Sequence, residues 1–89
     1  MLFALTCLDK PGALPIRLEN RPAHLEYLNG SGKVAFGGPF IEAGQPIGSL
    51  LVIEAADRAE AEAFAAADPY ARAGLFESVT IREWRKVIG

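Results

Sequence analysis

Runs of apolar residues, and changes in their spacing, divide the chain into alternating strands and helices. Residues 2–8 form a short apolar run that ends at an Asp-Lys-Pro-Gly turn, and this pattern predicts a buried strand. Further strands are predicted at residues 34–41, at residues 47–54 and from Phe76 to about Val87. Because only the loop at residues 42–46 separates the two middle strands, we expect them to form a hairpin.

Helical spacing appears between the first two strands. Long side chains recur there every three or four residues and form one stripe of a helix, at Leu14, Leu18, Arg21, Leu25 and Leu28. A Gly-rich stretch at residues 29–32 should end this helix. Pro22 conflicts with the pattern because it cannot donate a hydrogen bond to the carbonyl of Leu18. Either the helix kinks at Pro22, or its regular part begins near Asn20.

The second predicted helix covers Arg58–Ala67 and is rich in alanine. Asp57 is a suitable N-cap, and Glu60 three residues later completes a capping box. The helix should stop at Asp68, because a residue that precedes proline is biased away from helical backbone.

The predicted order β-α-β-β-α-β is that of a ferredoxin-like α+β fold, in which two helices cover one face of an antiparallel sheet. In the third strand Leu50 and Val52 point to one face of the sheet, whereas Ile47, Leu51 and Ile53 point to the other. Two helices can cover only one of these apolar faces. We therefore expect a second copy to cover the other face in a two-fold homodimer.

Composition and charge narrow the class of protein. Residues 1–89 are expected to form one domain, since no repeat or linker interrupts the elements and about half of the residues are hydrophobic. The net charge of -2, with no long run of Lys and Arg, argues against nucleic acid as a partner. The sequence also predicts no membrane span and no signal peptide, so we expect a cytoplasmic protein. Cys7, the only cysteine, is expected to be a buried and inert thiol.

Candidate chemistry centres on His24, the only histidine of the chain. Its ordinary pKa lies near neutrality, so an imidazole beside a carboxylate could accept and pass on a proton. Asp68 is such a carboxylate, although it could equally act as the cap of a short turn that begins at Pro69. Zinc needs three or four ligands, and a single histidine argues against both a metal and a haem. We therefore expect no cofactor and no metal.

The chain resembles the YCII-related proteins along its whole length. The resemblance rests on the order and spacing of several short strings, found at residues 9–12, Arg17, residues 21–25, residues 37–40, residues 48–50 and residues 67–70. It implies a ferredoxin-like subunit of the dimeric α+β barrel superfamily, and it implies that His24 and Asp68 are the active-site pair of the family. Better understood relatives suggest dehydrochlorination of a chlorinated hydroxyquinone, and the wider superfamily includes muconolactone isomerases and monooxygenases.

Five other residues are candidates for binding a substrate. Arg17 and Arg21 lie one turn apart on the helix of His24, and each is either a solvated surface charge or a ligand for a carboxylate or phenolate. Ser49 is interpreted as a hydrogen-bonding residue, because no nucleophile elbow surrounds it. Gly38 and Pro39 are either a pocket wall or a strand bulge.

Two functions follow from the sequence. In the first, the protein is an enzyme in which His24 is a general base oriented by Asp68, and it catalyses elimination or isomerisation of a small cyclic or phenolic metabolite. In the second, it is a non-catalytic dimeric module that binds a small molecule or regulates a partner. The sequence does not name the ligand.

Overall fold

A computed structural model describes residues 1–89 and contains four strands and three helices. The elements are β1 (Leu2–Asp9), α1 (Leu14–Ser31), β2 (Val34–Glu42), β3 (Gln45–Glu54), α2 (Arg58–Ala67), α3 (Pro69–Arg72) and β4 (Phe76–Trp84). The strands form one antiparallel sheet in the order β2-β3-β1-β4. This is the ferredoxin-like α+β fold that the sequence predicts, with the short helix α3 added before the last strand.

The hydrophobic core lies between the helices and one face of the two central strands. Alternate residues of β1 and β3 point toward the helices, as the two-residue period of a strand requires. The core on this face consists of Phe3, Leu5, Cys7, Leu51 and Ile53 from the sheet, packed against Leu28, Ala61 and Phe64 from the helices and Ala55 from the connection between β3 and α2. Both long helices therefore cover the same face of the sheet.

The helix α1 is continuous from Leu14 through Pro22 to Ser31. Of the two alternatives that Pro22 leaves open, a regular part that begins only near Asn20 is therefore wrong. Its leucine stripe also takes an unexpected position. Leu18 is 57% exposed and Leu25 is 38% exposed, whereas the buried residues of the helix are Arg17, His24 and Leu28. Leu18, Arg21, Leu25 and Leu28 of the stripe line a cavity beside the sheet, and of these only Leu28 also enters the core.

The hairpin between β2 and β3 is tighter than the predicted loop at residues 42–46. Glu42 pairs with Gln45, which leaves a two-residue turn. Both turn residues have positive φ angles, 50° at Ala43 and 76° at Gly44. Such turns match the twist of the flanking strands, but they are usually recognised from an Asn-Gly or Asp-Gly pair, and this sequence has Ala-Gly.

The last strand ends at Trp84, and not at about Val87 as the sequence suggests. Trp84 pairs with Leu2, the first residue of β1, so β1 offers no backbone partner to any later residue of β4. Val87 and Ile88 are consequently 84% and 89% exposed. Strand pairing, which local sequence does not reveal, sets this boundary.

The face of the sheet opposite the helices is also apolar. Phe36 on one edge strand and Trp84 on the other meet edge to face across it, with ring centroids 5.6 Å apart. Val52, which pairs directly with Phe36, shares this face and is only 2% exposed. Leu8 and Leu50 lie on the same face and remain partly accessible. The sequence prediction of two apolar faces is therefore correct.

None of the helices is both long enough and apolar enough to cross a membrane.

Candidate active site

A cavity of about 500 Å³ opens between α1 and the β2–β3 half of the sheet. Its size lies within the range of roughly 300–1,000 Å³ that is usual for small-molecule sites. The polar side chains that line it are Arg17, Arg21, His24, Asn29, Ser49 and Tyr70. Leucines of the α1 stripe, together with Ile41 and Leu51, supply apolar walls. The cavity thus combines apolar surface with a few polar groups.

His24 and Asp68 are in direct contact although they are 44 residues apart in the chain. The ring nitrogen Nδ1 of His24 lies 2.8 Å from Oδ1 and 3.0 Å from Oδ2 of Asp68. The same Oδ1 accepts a hydrogen bond of 2.9 Å from the backbone amide of Tyr70 and so caps α3. The two roles that the sequence leaves open for Asp68, a cap and a partner of the imidazole, therefore coexist.

This contact fixes the tautomer of the imidazole. A carboxylate only accepts hydrogen bonds, so Nδ1 must carry the hydrogen that it shares with Asp68. In the neutral ring Nε2 then keeps a lone pair. No protein atom hydrogen-bonds to Nε2, and His24 lines the cavity. Asp68 does not line the cavity and can act only through His24.

Tyr70 supports both His24 and Arg17. Its ring stacks on the imidazole with centroids 3.8 Å apart and an angle of 13° between the planes. The guanidinium carbon of Arg17 lies 4.7 Å from the Tyr70 ring centroid, in the range of a cation–π contact. Burial raises the pKa of the Tyr70 phenol, and the nearby Arg17 and Arg21 only partly offset this effect. Tyr70 therefore stays neutral beside the imidazole.

Arg17 is a buried ion-pair residue, so the interpretation of it as a solvated surface charge is wrong. Its Nε and Nη2 atoms donate to the two carboxylate oxygens of Asp9 at 2.7 and 2.9 Å, and Nη2 also donates to Ser49 Oγ at 3.0 Å. Burial works against the charge, but the bonds and the charge of Asp9 outweigh it and raise the pKa of Arg17 above its ordinary value. Loss of one partner from such a buried pair costs roughly 3–5 kcal/mol.

Arg21 differs from Arg17 because it is exposed and forms no ion pair or side-chain hydrogen bond within the protein. It lies at the cavity, where its guanidinium can reach an incoming anion. Gly38 and Pro39 also line the cavity, next to Gly37. A side chain at Gly37 would bring its Cβ within 2.5 Å of Leu51 Cδ2, so this wall depends on a glycine.

Two residues of the site were not assigned a role from the sequence. Asp9 belongs to the predicted turn after the first strand, and nothing local shows that it pairs with Arg17. Tyr70 follows Asp68 and Pro69 in a string that the family resemblance singles out, and an aromatic residue next to an active-site pair was the available signal. No group of three or more His, Cys, Asp or Glu side chains is arranged to hold a metal ion.

Comparison with known proteins decides the family. A model of the YCII-related domain matches residues 1–85 of the chain. The chain belongs to the YCII-related family. Among curated members of this family, the proteins named Protein YciI from Escherichia coli O6:H1 and from Shigella flexneri are each 34% identical to it. Both alignments cover 98% of this chain and 99% of the relative.

A solved structure extends the comparison of this YCII-related protein to an enzyme. The 5-chloro-2-hydroxyhydroquinone dehydrochlorinase TftG from Burkholderia phenoliruptrix AC1100, in complex with 2,5-dihydroxybenzoquinone, is 37% identical and superposes with a TM-score of 0.90. The match covers 96% of this chain and 94% of TftG. An antibiotic biosynthesis monooxygenase matches with a TM-score of 0.60 at 19% identity, which establishes a shared fold alone.

Proposed function

We propose that the protein is an enzyme that eliminates or isomerises a small cyclic or phenolic compound by general acid–base catalysis. The observation that carries the proposal is the hydrogen bonding of the two ring nitrogens of His24. Its Nδ1 is held by Asp68 at 2.8 Å, and its unpartnered Nε2 belongs to a side chain of the cavity wall. A base oriented in this way is the central requirement for abstraction of a proton from a bound ring compound.

The proposed roles of the site residues follow from whether each side chain lines the cavity. His24 is the general base, and Asp68 is the positioning residue that holds the ring and stabilises the imidazolium that forms after proton transfer. A positioned base of this kind usually contributes about 10²- to 10⁴-fold in rate. Tyr70 keeps the imidazole in place by stacking, because it fills the space beside the ring.

The proposed substrate class is a ring with oxygen substituents. The similarity to TftG, which is a dehydrochlorinase of a chlorinated hydroxyquinol and binds a dihydroxybenzoquinone, supports a substrate of this type. The unpaired guanidinium of Arg21 favours a substrate that carries a phenolate or carboxylate. Leu18 and Leu25 offer apolar surface to the ring itself.

The proposed elimination balances in two proton transfers. In the first, Nε2 of His24 takes a proton from one hydroxyl group of the substrate, and the imidazolium returns it to the ring carbon that bears the leaving group, which becomes tetrahedral. In the second, Nε2 takes a proton from another hydroxyl group, the π bonds of the ring shift, and the leaving group, chloride in a dehydrochlorination, departs from that carbon with its bonding electrons. In an isomerisation nothing departs, and the imidazolium returns the proton to another carbon.

Chloride release from 5-chloro-2-hydroxyhydroquinone tests this proposal. The rate of release should fall at least about 100-fold in His24→Ala, and it should fall in Asp68→Asn, where the ring loses its charged partner. Arg72→Gln is a suitable control because Arg72 is exposed and does not line the cavity. Circular dichroism and thermal melting should be recorded for each variant, since Asp68 also caps α3.

An unchanged rate in His24→Ala would exclude the base and with it the proposed mechanism. The alternative function, a module that binds a small molecule without converting it, predicts a different result. In that case 2,5-dihydroxybenzoquinone should raise the melting temperature of the protein while no chlorinated or lactone substrate is turned over.

We also propose that the active form is a homodimer. The apolar sheet face that carries Leu8, Leu50 and the Phe36–Trp84 pair supports this proposal, because it is the face that the helices leave uncovered. The cavity that His24 lines is on the helix side of the sheet.

A further inference from the structure

We infer that Ser49 donates its hydroxyl hydrogen to the substrate oxygen on which negative charge develops, and that Asp9 and Arg17 hold it in the orientation to do so. This inference rests on the proposed function. It adds a second protein group to the reaction, one that contacts the substrate oxygen and does not take the proton. His24 takes the proton, and Ser49 stabilises the electron pair that the proton leaves behind.

The direction of the Ser49 hydrogen bond follows from the chemistry of its neighbour. A guanidinium has donors and no acceptor, so Ser49 Oγ must accept the 3.0 Å bond from Arg17 Nη2. The hydroxyl hydrogen of Ser49 is therefore left over, and no atom of the protein accepts it. Ser49 is 3% exposed and lines the cavity. A buried donor without a partner in the protein should find one in the bound ligand.

Asp9 makes this arrangement rigid. It accepts two hydrogen bonds from Arg17, at 2.7 and 2.9 Å, and both side chains of the pair are almost fully buried. The guanidinium plane is therefore fixed, and with it the position of the bond to Ser49. A hydroxyl that already accepts a bond from a cation is a stronger donor, because hydrogen bonds in a chain polarise one another.

The role requires no covalent step at Ser49. When Nε2 of His24 removes the substrate proton, the electron pair spreads through the ring onto an oxygen substituent. The Ser49 O–H bond stays intact and only shortens its contact to that oxygen. A preorganised donor of this type stabilises the charged transition state more than the neutral ground state, and its removal usually costs about 10²- to 10³-fold in kcat.

The experiment uses 2,5-dihydroxybenzoquinone, whose visible absorption reports its ionisation. Bound to the wild-type protein, the quinone should ionise at a lower pH than in free solution. In Ser49→Ala this ionisation should return toward higher pH, and binding of the anion should weaken by roughly 10- to 100-fold. Ser49→Thr keeps the hydroxyl and should restore both properties. Ser31→Ala, which removes a serine hydroxyl at the end of α1 that does not line the cavity, is the matched control.

Turnover separates this inference from the proposed function. A Ser49→Ala variant that binds the quinone anion and releases chloride as the wild type does would overturn the inference while leaving His24 as the base. The opposite result, an altered quinone ionisation in Ser49→Ala together with full activity in His24→Ala, would retain the Ser49 donor and overturn the mechanism. Asp9→Asn should show a smaller change of the same sign as Ser49→Ala, because Asn still occupies the position of the anchor.

Discussion

The two arginines of α1 have different roles, because Arg17 is buried and Arg21 is exposed. Arg17 donates from Nε and Nη2 to Asp9 and Ser49 inside the protein, whereas Arg21, one turn later, forms no hydrogen bond within the protein and lies exposed beside the cavity. A buried guanidinium anchored by a carboxylate is a fixed structural charge. An exposed one remains available to a ligand, so Arg21 is the arginine that we expect to recognise a substrate anion.

Replacement of Arg21 should therefore affect binding of anionic ligands more than catalysis. We expect Arg21→Gln to weaken binding of the 2,5-dihydroxybenzoquinone anion by about 2- to 5-fold, the value of an ion pair near solvent. The wild-type affinity should fall with added salt, and the variant should show less of this dependence. Isothermal titration at two salt concentrations measures both effects. Equal affinity in Arg21→Gln and wild type would remove Arg21 from the site.

Cys7 should be unreactive in the folded protein. Burial, reinforced by the nearby charge of Asp68, raises the pKa of the thiol to about 12. The reactive thiolate is therefore nearly absent at pH 8.5, where an ordinary cysteine is about half ionised. Mass spectrometry after iodoacetamide treatment should find Cys7 unmodified in the native protein and fully modified in guanidinium chloride. Rapid labelling of the native protein would contradict the buried position.

Sequence identifies some of these residues better than others. His24 and Asp68 stand in recognisable strings, and each belongs to a residue type with a limited set of roles. Arg17 belongs to the family resemblance, but nothing near it in the sequence shows that it is buried, because its partner Asp9 lies in a different element and a surface arginine is the ordinary expectation. Whether a charged side chain is buried depends on the packing of distant elements, and local sequence does not contain that information.

At the scale of elements, α1 both packs against the core and lines the cavity. Its leucine stripe predicts a helix correctly, yet Leu18 and Leu25 border the cavity and do not enter the core. Arg17, His24 and Leu28 share the adjacent face at spacings of seven and four residues, which place them within one side of a helix. The leucine spacing predicts the helix. It does not distinguish a helix face that packs against the core from a face that lines a cavity.

The β2–β3 turn offers a test of backbone strain. Ala43 has a φ angle of 50°, a conformation that costs a residue with a Cβ roughly 1–2 kcal/mol relative to glycine. We therefore expect Ala43→Gly to raise the free energy of unfolding by up to about 1 kcal/mol, since the added flexibility of the unfolded chain cancels part of the gain. Urea denaturation measures the change.

The same substitution in a regular element is the control. Ala63→Gly, at an exposed position within α2, should lower the free energy of unfolding by roughly 1 kcal/mol. A destabilised Ala43→Gly would contradict the strained turn. The strand ends that the sequence misplaces at this turn and at Trp84 have a common origin, because both depend on which residues pair across the sheet.

At the scale of the whole molecule, the sheet has one face covered by helices and one that is apolar and open. The proposed homodimer buries this open face. Leu50→Asp should then give a monomer, because it places a charge at the centre of the apolar face. Val79→Asp puts the same charge on the opposite side of the sheet, at an exposed position of the edge strand β4, and should remain dimeric. Analytical ultracentrifugation over a range of concentrations distinguishes the two results, and a monomeric wild type would refute the dimer.

Stability should also fall in alkaline solution. Burial raises the pKa of Tyr27, Tyr70 and Cys7, so the folded protein holds these groups neutral where the unfolded chain would ionise them. Their contribution is complete below the ordinary pKa values, about 8.5 for the thiol and 10 for the phenols, and it decreases as the pH rises toward the raised pKa values. Urea midpoints measured from pH 8 to pH 11 should decrease, and Tyr27→Phe should reduce the slope. A midpoint that stays constant to pH 11 would contradict these shifts.

The shared oxygen of Asp68 has a practical consequence. Because Oδ1 accepts from both the imidazole and the amide of Tyr70, any change at the ring must alter the electron density that the amide proton experiences. The ¹H–¹⁵N resonance of Tyr70 is thus a built-in reporter. Its chemical shift should follow the arrival of a ligand at His24 in unmodified protein, without an added label or dye.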